Sequence, residues 1–271
     1  MPSRDVSPSP PIDVTVPSVA RMYDYLLDGK DNYPADRGAT EELLEQVPSM
    51  KVLALNNRQF LRRVVRVLAE DYGIRQFVDH GSGLPTQDNV HEIAQRVHPD
   101  ARVVYADNDP IVLAHGRVLL EQNENTAVLQ ADFRDTESIW DSPEVHRLID
   151  LAEPVAALFV SVLHCVKAVE DPAGMVHRVR DRLPAGSCLV VCQLVSDDPE
   201  VRCGVSEFMD ESTGGNWGEV REESDLLHYL DGTEILPPGL VEVSTWRADN
   251  ELALVQPSYE WIEFGGVGRV R

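Results

Sequence analysis

From Arg75 to the end of the chain, short apolar runs alternate with stretches in which apolar residues recur at helical spacing. This alternation is typical of βαβ units, in which parallel strands are joined by helices that pack on the sheet. We expect strands at residues 75–79, 102–107, 126–130, 155–162, 187–194, 240–246 and 259–264. The sequence therefore predicts an α/β domain with a seven-stranded, mostly parallel sheet and helices on both faces.

Helix start signals separate the predicted strands. We expect a helix at 86–97, and further helices that open at Asp109-Pro110 and at Asp171-Pro172. Residues 196–239 are too many for a simple connection. We interpret them as an inserted segment with two helices around the loop TGGNWG.

The chain before Arg75 shows helical patterns and no strand patterns. Residues 1–16 are rich in proline and serine and predict a disordered tail. Apolar residues at helical spacing then predict three helices, which begin near Ser18, Pro34 and Asn56. The predicted organisation is thus a tail, a helical cover at 17–73 and the sheet domain at 74–271.

Composition excludes several classes of protein. The 271 residues carry a formal charge of −22, a field that repels nucleic acids, and no basic stripe offsets it. Cys165, Cys188, Cys192 and Cys203 form no CxxC pair or zinc-like cluster, so we expect free thiols and no metal site. There is no long apolar run or leader-like start, so we expect a cytoplasmic protein without a membrane partner. The sequence does not indicate an oligomeric state.

The stretch FVDHGSGLPT follows the first predicted strand, where an open α/β sheet binds its ligand. Gly81 and Gly83 resemble the start of a dinucleotide-binding loop, but Leu84 and Pro85 stand where a third glycine and a free amide are needed. Proline has no NH group to donate, and Asp79 would place a carboxylate beside the anion. Both features disfavour a phosphate.

A ligand with an ammonium group and an adenosine, such as S-adenosyl-L-methionine, fits these residues better. Asp79 can support the amino-acid end, and Asp107, at the end of the second strand, can accept both ribose hydroxyls. Asp132 and Phe133 follow the third strand, where an acid can bind the adenine amino group and a ring can stack on the base. Each residue has a structural alternative, such as a tight turn or a helix cap, and the prediction depends on their combination.

Five segments resemble the bacterial S-adenosyl methyltransferase family, among them PSVARMYDYLLDGKDNYPADR, GIRQFVDHGSGLPTQDNVHEIAQ and LPPGLVEVSTWRAD. The resemblance covers about residues 14–271. It implies the class I methyltransferase fold, which is Rossmann-like, and an S-adenosylmethionine cofactor, but leaves the methyl acceptor open. His80 stands where the family usually has a small or aliphatic residue, and we expect its side chain to turn into neighbouring packing.

The resemblance also implies site residues. Its cofactor contacts are Asp79, Gly81, Gly83, Asp107, Asn108, Asp132 and Phe133. It further implies that the cover over the site includes Tyr23, Lys30, Asn32 and Tyr33, with Tyr23 at the cofactor and Tyr33 at the acceptor. The loop DGKDNYP, which is polar and contains glycine, suits such a cover, and a surface connection is the less favoured alternative.

Two residues after the fourth strand are candidates for the reaction. Ser161 and His164 lie where methyltransferases commonly meet the sulfonium and the acceptor, and Ser161 is expected at the cofactor. His164 could take a proton from a hydroxyl or an amine, or it could be a buried histidine bonded to backbone. Methyl transfer needs no base at all when the nucleophile is neutral and aligned.

Other side chains could contact the acceptor. Arg58, Arg62, Arg63 and Arg66 are more typical of a solvated helix face than of an acidic-ligand site, but Arg58 is expected to face the sheet. Trp217 in TGGNWG could form a pocket wall or anchor its loop. The sequence therefore predicts a methyltransferase for a small molecule. Two alternatives are a catalytically inactive protein that binds the cofactor and, less favoured, an NAD(P)-dependent oxidoreductase.

Overall fold

A computed structural model describes residues 13–85, 88–119, 123–249 and 261–271. Its helices are α1 (Val19–Leu26), α2 (Pro34–Gln46), α3 (Met50–Glu70), α4 (Val90–Val97), α5 (Pro110–Leu119), α6 (Thr136–Trp140), α7 (Pro143–Leu148), α8 (Pro172–Arg180), α9 (Pro199–Ser212) and α10 (Asp225–Tyr229). Its strands are β1 (Gln76–His80), β2 (Arg102–Asp107), β3 (Thr126–Gln130), β4 (Ala156–Val160), β5 (Cys188–Val195), β6 (Thr233–Ile235), β7 (Val241–Glu242) and β8 (Ile262–Val270). No described helix is long and apolar enough to cross a membrane.

The strands form one mixed sheet in the order β3-β2-β1-β4-β5-β8-β6, with β7 also paired to β8. The first five strands of this order are parallel, and β8 runs antiparallel to each of its partners. The predicted α/β fold with a mostly parallel sheet is confirmed. The described sheet has eight strands where seven were expected, because β6 is too short to leave a pattern in the sequence.

Some element boundaries differ from the predictions. The predicted strand at 240–246 is only two residues long, because the chain turns after Glu242, where Thr245 N donates to the Glu242 carbonyl. Helix α3 begins at Met50, six residues before Asn56. The short helices α6 and α7 were not predicted. Three predictions extend beyond the described residues. They are the tail at 1–16, of which residues 1–12 are not described, and the helix at 86–97 and the strand at 259–264, whose first two residues are not described.

Apolar side chains cover both faces of the sheet. In β1, Phe77 belongs to the cluster under α3 and α4, while Val78 belongs to the cluster under α6, α7 and α8. Parallel strands buried on both faces are continuous apolar runs, which is why the sequence predicted them well. A third cluster, which includes Leu43, Met209 and Trp217, joins the N-terminal helices to α9. The N-terminal helices are therefore packed onto the sheet domain.

The arginines of α3 do not form one solvated face. Arg63 is buried, and its guanidinium donates to the backbone carbonyls of Val243 and Trp246. The expectation of a solvated side chain is wrong for Arg63, because the turn after β7 folds over this part of α3. Arg62 and Arg66 are partly exposed and form ion pairs with Asp88 and Asp249.

Candidate active site

A cavity of about 480 Å³ lies between the carboxyl ends of the parallel strands and the N-terminal helices. The strand side of its lining includes Asp79, Gly81, Gly83, Asp107, Phe133 and Ser161. The cover side includes Met22, Tyr23, Leu43, Met50, Arg58 and Trp217. Residues that are far apart in the sequence thus meet at the edge where open α/β sheets bind ligands.

The loop after β1 is tied to the neighbouring strand. The amides of Gly81 and Ser82 both donate to the carbonyl of Ala106, at 2.8 and 3.1 Å. Gly81 has a φ of 70°, a left-handed conformation that favours glycine. A Cβ atom at this position would lie 2.6 Å from Cγ1 of Val162. The loop therefore needs glycine at position 81 both for its backbone conformation and for its close approach to the segment after β4.

We expect Gly81→Ala to lower the free energy of unfolding by about 2–4 kcal/mol, from backbone strain and overpacking together. Gly73→Ala is the matched control, because Gly73 has a φ of 68° but nothing lies within 4 Å of a Cβ there. It should cost only about 1–2 kcal/mol. Urea denaturation followed by circular dichroism measures both, and equal losses would show that the contact with Val162 is unimportant.

Two buried carboxylates border this loop. Asp107 accepts hydrogen bonds from the amides of Gly83 (2.8 Å) and Asp109 (2.9 Å). Burial raises the pKa of Asp79 to about 7, although the nearby Arg58 lowers it, and burial raises the pKa of Asp107 to about 6. A positively charged ligand would stabilise the ionised forms that burial disfavours. This edge of the cavity is therefore suited to a cation.

Of the predicted cofactor residues that follow β2 and β3, two line the cavity and one does not. Asn108 and Phe133 line the cavity, and the guanidinium of Arg134 lies over the Phe133 ring, 5.9 Å from its centroid. Asp132 is not among the described residues that line the cavity. Its carboxylate accepts hydrogen bonds from the amide and the Nε of Arg134, both in the same turn. Nothing in the spacing of Asp132 from its strand could indicate this local contact.

Helix α1 brings Tyr23 to the cavity. The Tyr23 hydroxyl donates to the carbonyl of Ala54 (3.0 Å) and accepts from the Nδ2 of Asn57 (2.9 Å). Arg58, one residue further along α3, also lines the cavity, and its guanidinium donates to the carbonyl of Asp88 (3.0 Å). Arg58 thus faces the sheet, as expected.

The loop DGKDNYP lies elsewhere. Lys30, Asn32 and Tyr33 are not among the described lining residues. Asn32 is buried and donates to the carboxylate of Asp24, while Tyr33 precedes α2 and is 37% exposed. The expectation that these three residues cover the site is therefore not met. The side of α1 that carries Tyr23 forms the cover, together with the preceding segment from Asp13.

His164 lines the cavity as a buried, neutral side chain. Burial lowers its pKa to about 3, and the charge of Arg221 acts in the same direction. Its Nδ1 accepts a hydrogen bond from the amide of Leu194 (3.3 Å), and its ring stacks on Trp217 with centroids 4.7 Å apart. Since Nδ1 is occupied, the proton of the neutral ring lies on Nε2. This geometry favours the alternative that His164 is a buried histidine bonded to backbone, and a role for His164 as base stays a prediction.

His80 turns away from the cavity, which confirms the expectation of a packed side chain. It is fully buried, its Nε2 accepts from the indole NH of Trp140 (3.1 Å), and its ring stacks on Phe159. Its Nδ1 lies 3.2 Å from the carbonyl of Leu158. The histidine thus acts as a polar core residue.

Sequence reasoning missed Glu263, a buried acid near the start of β8 that lines the cavity. Its Oε1 accepts a hydrogen bond from the Ser161 hydroxyl (2.6 Å), and its Oε2 accepts from the Cys192 thiol (3.1 Å). The available signal was a charged residue between Ile262 and Phe264 in an apolar strand. Ser161 has a φ of 59°, which is unusual for a residue with a side chain and frequent at functional sites.

No cluster of His, Cys, Asp or Glu residues suited to a metal ion occurs within the described ranges.

Comparisons with known proteins agree with this geometry. A family model for S-adenosyl methyltransferases matches residues 5–271. A candidate methyltransferase from Thermobifida fusca YX has a similar structure with a TM-score of 0.89 and 40% sequence identity, covering 98% of this chain and 99% of its own. A DUF574 family protein from Streptomyces avermitilis MA-4680 has a TM-score of 0.88 and 36% sequence identity, and the match covers 96% of this chain and 100% of that protein.

No functionally curated protein matches the chain significantly. The family model spans almost the whole chain, and both structures are similar over nearly their full length. The chain therefore belongs to the S-adenosyl methyltransferase family, and it is a methyltransferase with the class I fold that uses S-adenosylmethionine as its cofactor.

Proposed function

We propose that the protein methylates a small molecule that binds in the cavity between the sheet edge and the N-terminal helices. The observation that carries this proposal is a cavity with an acidic, glycine-containing side and an apolar side. Bound cofactor supplies an electrophilic methyl group on its sulfonium. The apolar side would hold the acceptor, and α1 over the opening would exclude water.

The strand side fits the cofactor in several ways. Gly81 lets the loop after β1 pack closely against Val162, and the buried hydroxyl of the next residue, Ser82, has no protein partner, so it is available to a ligand. Asp107 would bind the ribose hydroxyls, Phe133 would stack on the adenine, and Asp79 would support the amino-acid end. These assignments use the side chains that line the cavity and the raised pKa values of the two acids.

The remaining features support a small acceptor over a macromolecule. A cavity covered by helices admits a small molecule more readily than a nucleic acid, and a formal charge of −22 repels polyanions. Cys165, Cys188, Cys192 and Cys203 are free thiols, which supports a reducing, cytoplasmic compartment.

Methyl-labelled S-adenosylmethionine tests the proposal. We expect the protein to transfer label to a compound in the small-molecule fraction of a bacterial extract, and not to the protein or nucleic-acid fractions. An extract incubated without the protein is the control. Label that appears only in a macromolecular fraction would contradict a small acceptor. Tight cofactor binding without any transfer would instead point to a binding role.

A further inference from the structure

Glu263 is a cavity-lining acid to which the cofactor site assigns no role. We propose that Glu263 accepts the proton of the methyl acceptor, and that this acceptor is a neutral, largely apolar molecule, aromatic at its core, that is methylated on a hydroxyl. The inference rests on the proposed function, because it concerns the acceptor side of the same cavity.

The order of the strands separates Glu263 from the cofactor acids. Asp107 and Asp79 lie near the carboxyl ends of β2 and β1, Ser161 directly follows β4, and β5 and β8 come next along the sheet. Because β8 is antiparallel, its start lies at the same edge as the carboxyl ends of the other strands. Glu263 therefore lies beyond Ser161, on the side of the cavity away from Asp79 and Asp107.

The protein holds the Glu263 carboxylate in place. The Ser161 hydroxyl and the Cys192 thiol each donate to a different oxygen, so both oxygens are fixed and keep lone pairs for a further donor. Glu263 is 2% exposed, and it is among the residues that line the cavity. Burial raises the pKa of Glu263 to about 7, although the two hydrogen bonds lower it. The carboxyl group can therefore gain and lose a proton near neutrality.

The neighbouring wall suits an apolar, planar molecule. Leu43, Met22, Met50 and Met209 line the cavity, and they belong to or pack against the apolar cluster that includes Leu194, the strand partner of Glu263. Methionine packs well against aromatic rings. Trp217 adds an aromatic surface. Its buried indole NH has no hydrogen-bond partner in the protein, so it can donate to a polar atom of the ligand.

The charge balance favours a hydroxyl over an aliphatic amine. An amine beside carboxylates stays protonated and has no lone pair to attack, whereas a neutral hydroxyl donates a hydrogen bond to Glu263 and keeps a lone pair on oxygen. As that oxygen forms its bond to the methyl carbon, the carbon–sulfur bond breaks and its electron pair stays on sulfur. The hydroxyl proton goes to Glu263, which releases it when the product leaves.

Binding of 4-nitrophenol to the complex with S-adenosylhomocysteine tests the proposal without turnover. The phenolate of this probe absorbs visible light, so a pH titration reports its ionisation in the cavity. A phenolate beside an ionised carboxylate is disfavoured. We therefore expect bound 4-nitrophenol to ionise at a pH about one unit higher in the wild-type protein than in Glu263→Gln.

Glu207→Gln is the matched control, because Glu207 is an exposed acid on α9, and it should titrate like the wild type. If Glu263→Gln does not fold, Glu263→Asp provides the comparison, with a smaller shift. The same ionisation pH with and without the carboxylate would overturn the proposal, and so would a complex that does not bind the phenol.

Calorimetry with S-adenosylhomocysteine separates this inference from the proposed function. Glu263→Gln should bind it with an affinity within about threefold of wild type. A loss of about tenfold or more would mean that Glu263 holds the cofactor, and would overturn the acceptor role. No binding by the wild-type protein would instead overturn the proposed function.

Transfer to a panel of phenols of decreasing pKa gives a second readout. The loss of rate in Glu263→Gln should be about 100-fold for the least acidic phenols and should shrink as the phenol becomes more acidic, because an ionised phenol needs no base. A constant loss across the panel, or wild-type transfer to none of these phenols while the cofactor binds, would contradict the proposal.

Discussion

Replacement of Asp79 by asparagine should weaken the binding of S-adenosylmethionine about 100-fold, or about 2.8 kcal/mol. Asp79 lies near the carboxyl end of β1 and lines the cavity. The cofactor carries an ammonium and a sulfonium group, and the loss of a buried carboxylate removes an attraction that water screens little. Titration calorimetry measures the change.

The same variant should be more stable than the wild type without ligand. Burial raises the pKa of Asp79 from 3.8 to about 7 in the folded protein. Between these two pKa values Asp79 is therefore protonated in the folded state and ionised in the unfolded state. The free energy of unfolding consequently falls as the pH rises from about 4 to 7. Asparagine removes the cost of burying an ionised carboxylate at this position. We expect a gain of about 2–4 kcal/mol at pH 8 and almost none at pH 4.

Asp100→Asn is the matched control for both measurements. Asp100 is exposed, forms a surface ion pair with Arg75 and lies before β2, away from the cavity. It should leave affinity unchanged and alter stability by less than about 1 kcal/mol. If Asp79→Asn bound the cofactor as well as the wild type does, the assignment of Asp79 to the cofactor would be wrong.

Arg21→Ala should cost about 3–5 kcal/mol of unfolding free energy. Arg21 and Asp36 are both buried, and the Nε of Arg21 donates to both carboxylate oxygens of Asp36 at 3.0 and 2.9 Å. The same carboxylate accepts from the amides of Ser18 and Tyr33, so it fixes the starts of α1 and α2. Without the guanidinium, a charged group would remain buried and unpaired.

Urea denaturation of four variants, namely Arg21→Ala, Asp36→Ala, the double variant and Arg75→Ala, tests this account. Arg75→Ala removes the exposed partner of Asp100 and should cost less than about 1 kcal/mol. The double variant Arg21→Ala/Asp36→Ala should cost less than the sum of its two single variants, because it leaves no buried charge alone. Additive losses would show that the two side chains act independently.

The sequence was most informative where a feature depends on local pattern. Apolar runs located the parallel strands, and acids directly after them located Asp79 and Asp107 at one edge, since parallel strands bring their carboxyl ends together. It was least informative where a distant residue decides the outcome. Arg63 is buried because the turn after β7 covers it, and Glu263 reaches the cavity only because β8 inserts beside β5.

Local hydrogen bonds also set the direction of some side chains in ways that residue spacing does not predict. Asp132 has the spacing of a ligand, but its carboxylate is bonded to the amide and the side chain of Arg134, two residues later. Tyr33 lies in a segment with a family resemblance, but its amide caps α2 through Asp36 and its ring is left at the surface. Residue spacing locates a side chain along the chain, whereas its direction depends on contacts that only the fold defines.

A crystal structure with S-adenosylhomocysteine bound tests the central claim most directly. We predict that the nucleoside lies in the cavity, with its ribose hydroxyls at Asp107, its adenine against Phe133 and its amino-acid end towards Asp79. Glu263 should face open space on the acceptor side of Ser161. A nucleoside bound outside this cavity, or an amino-acid end that contacts Glu263, would contradict the account.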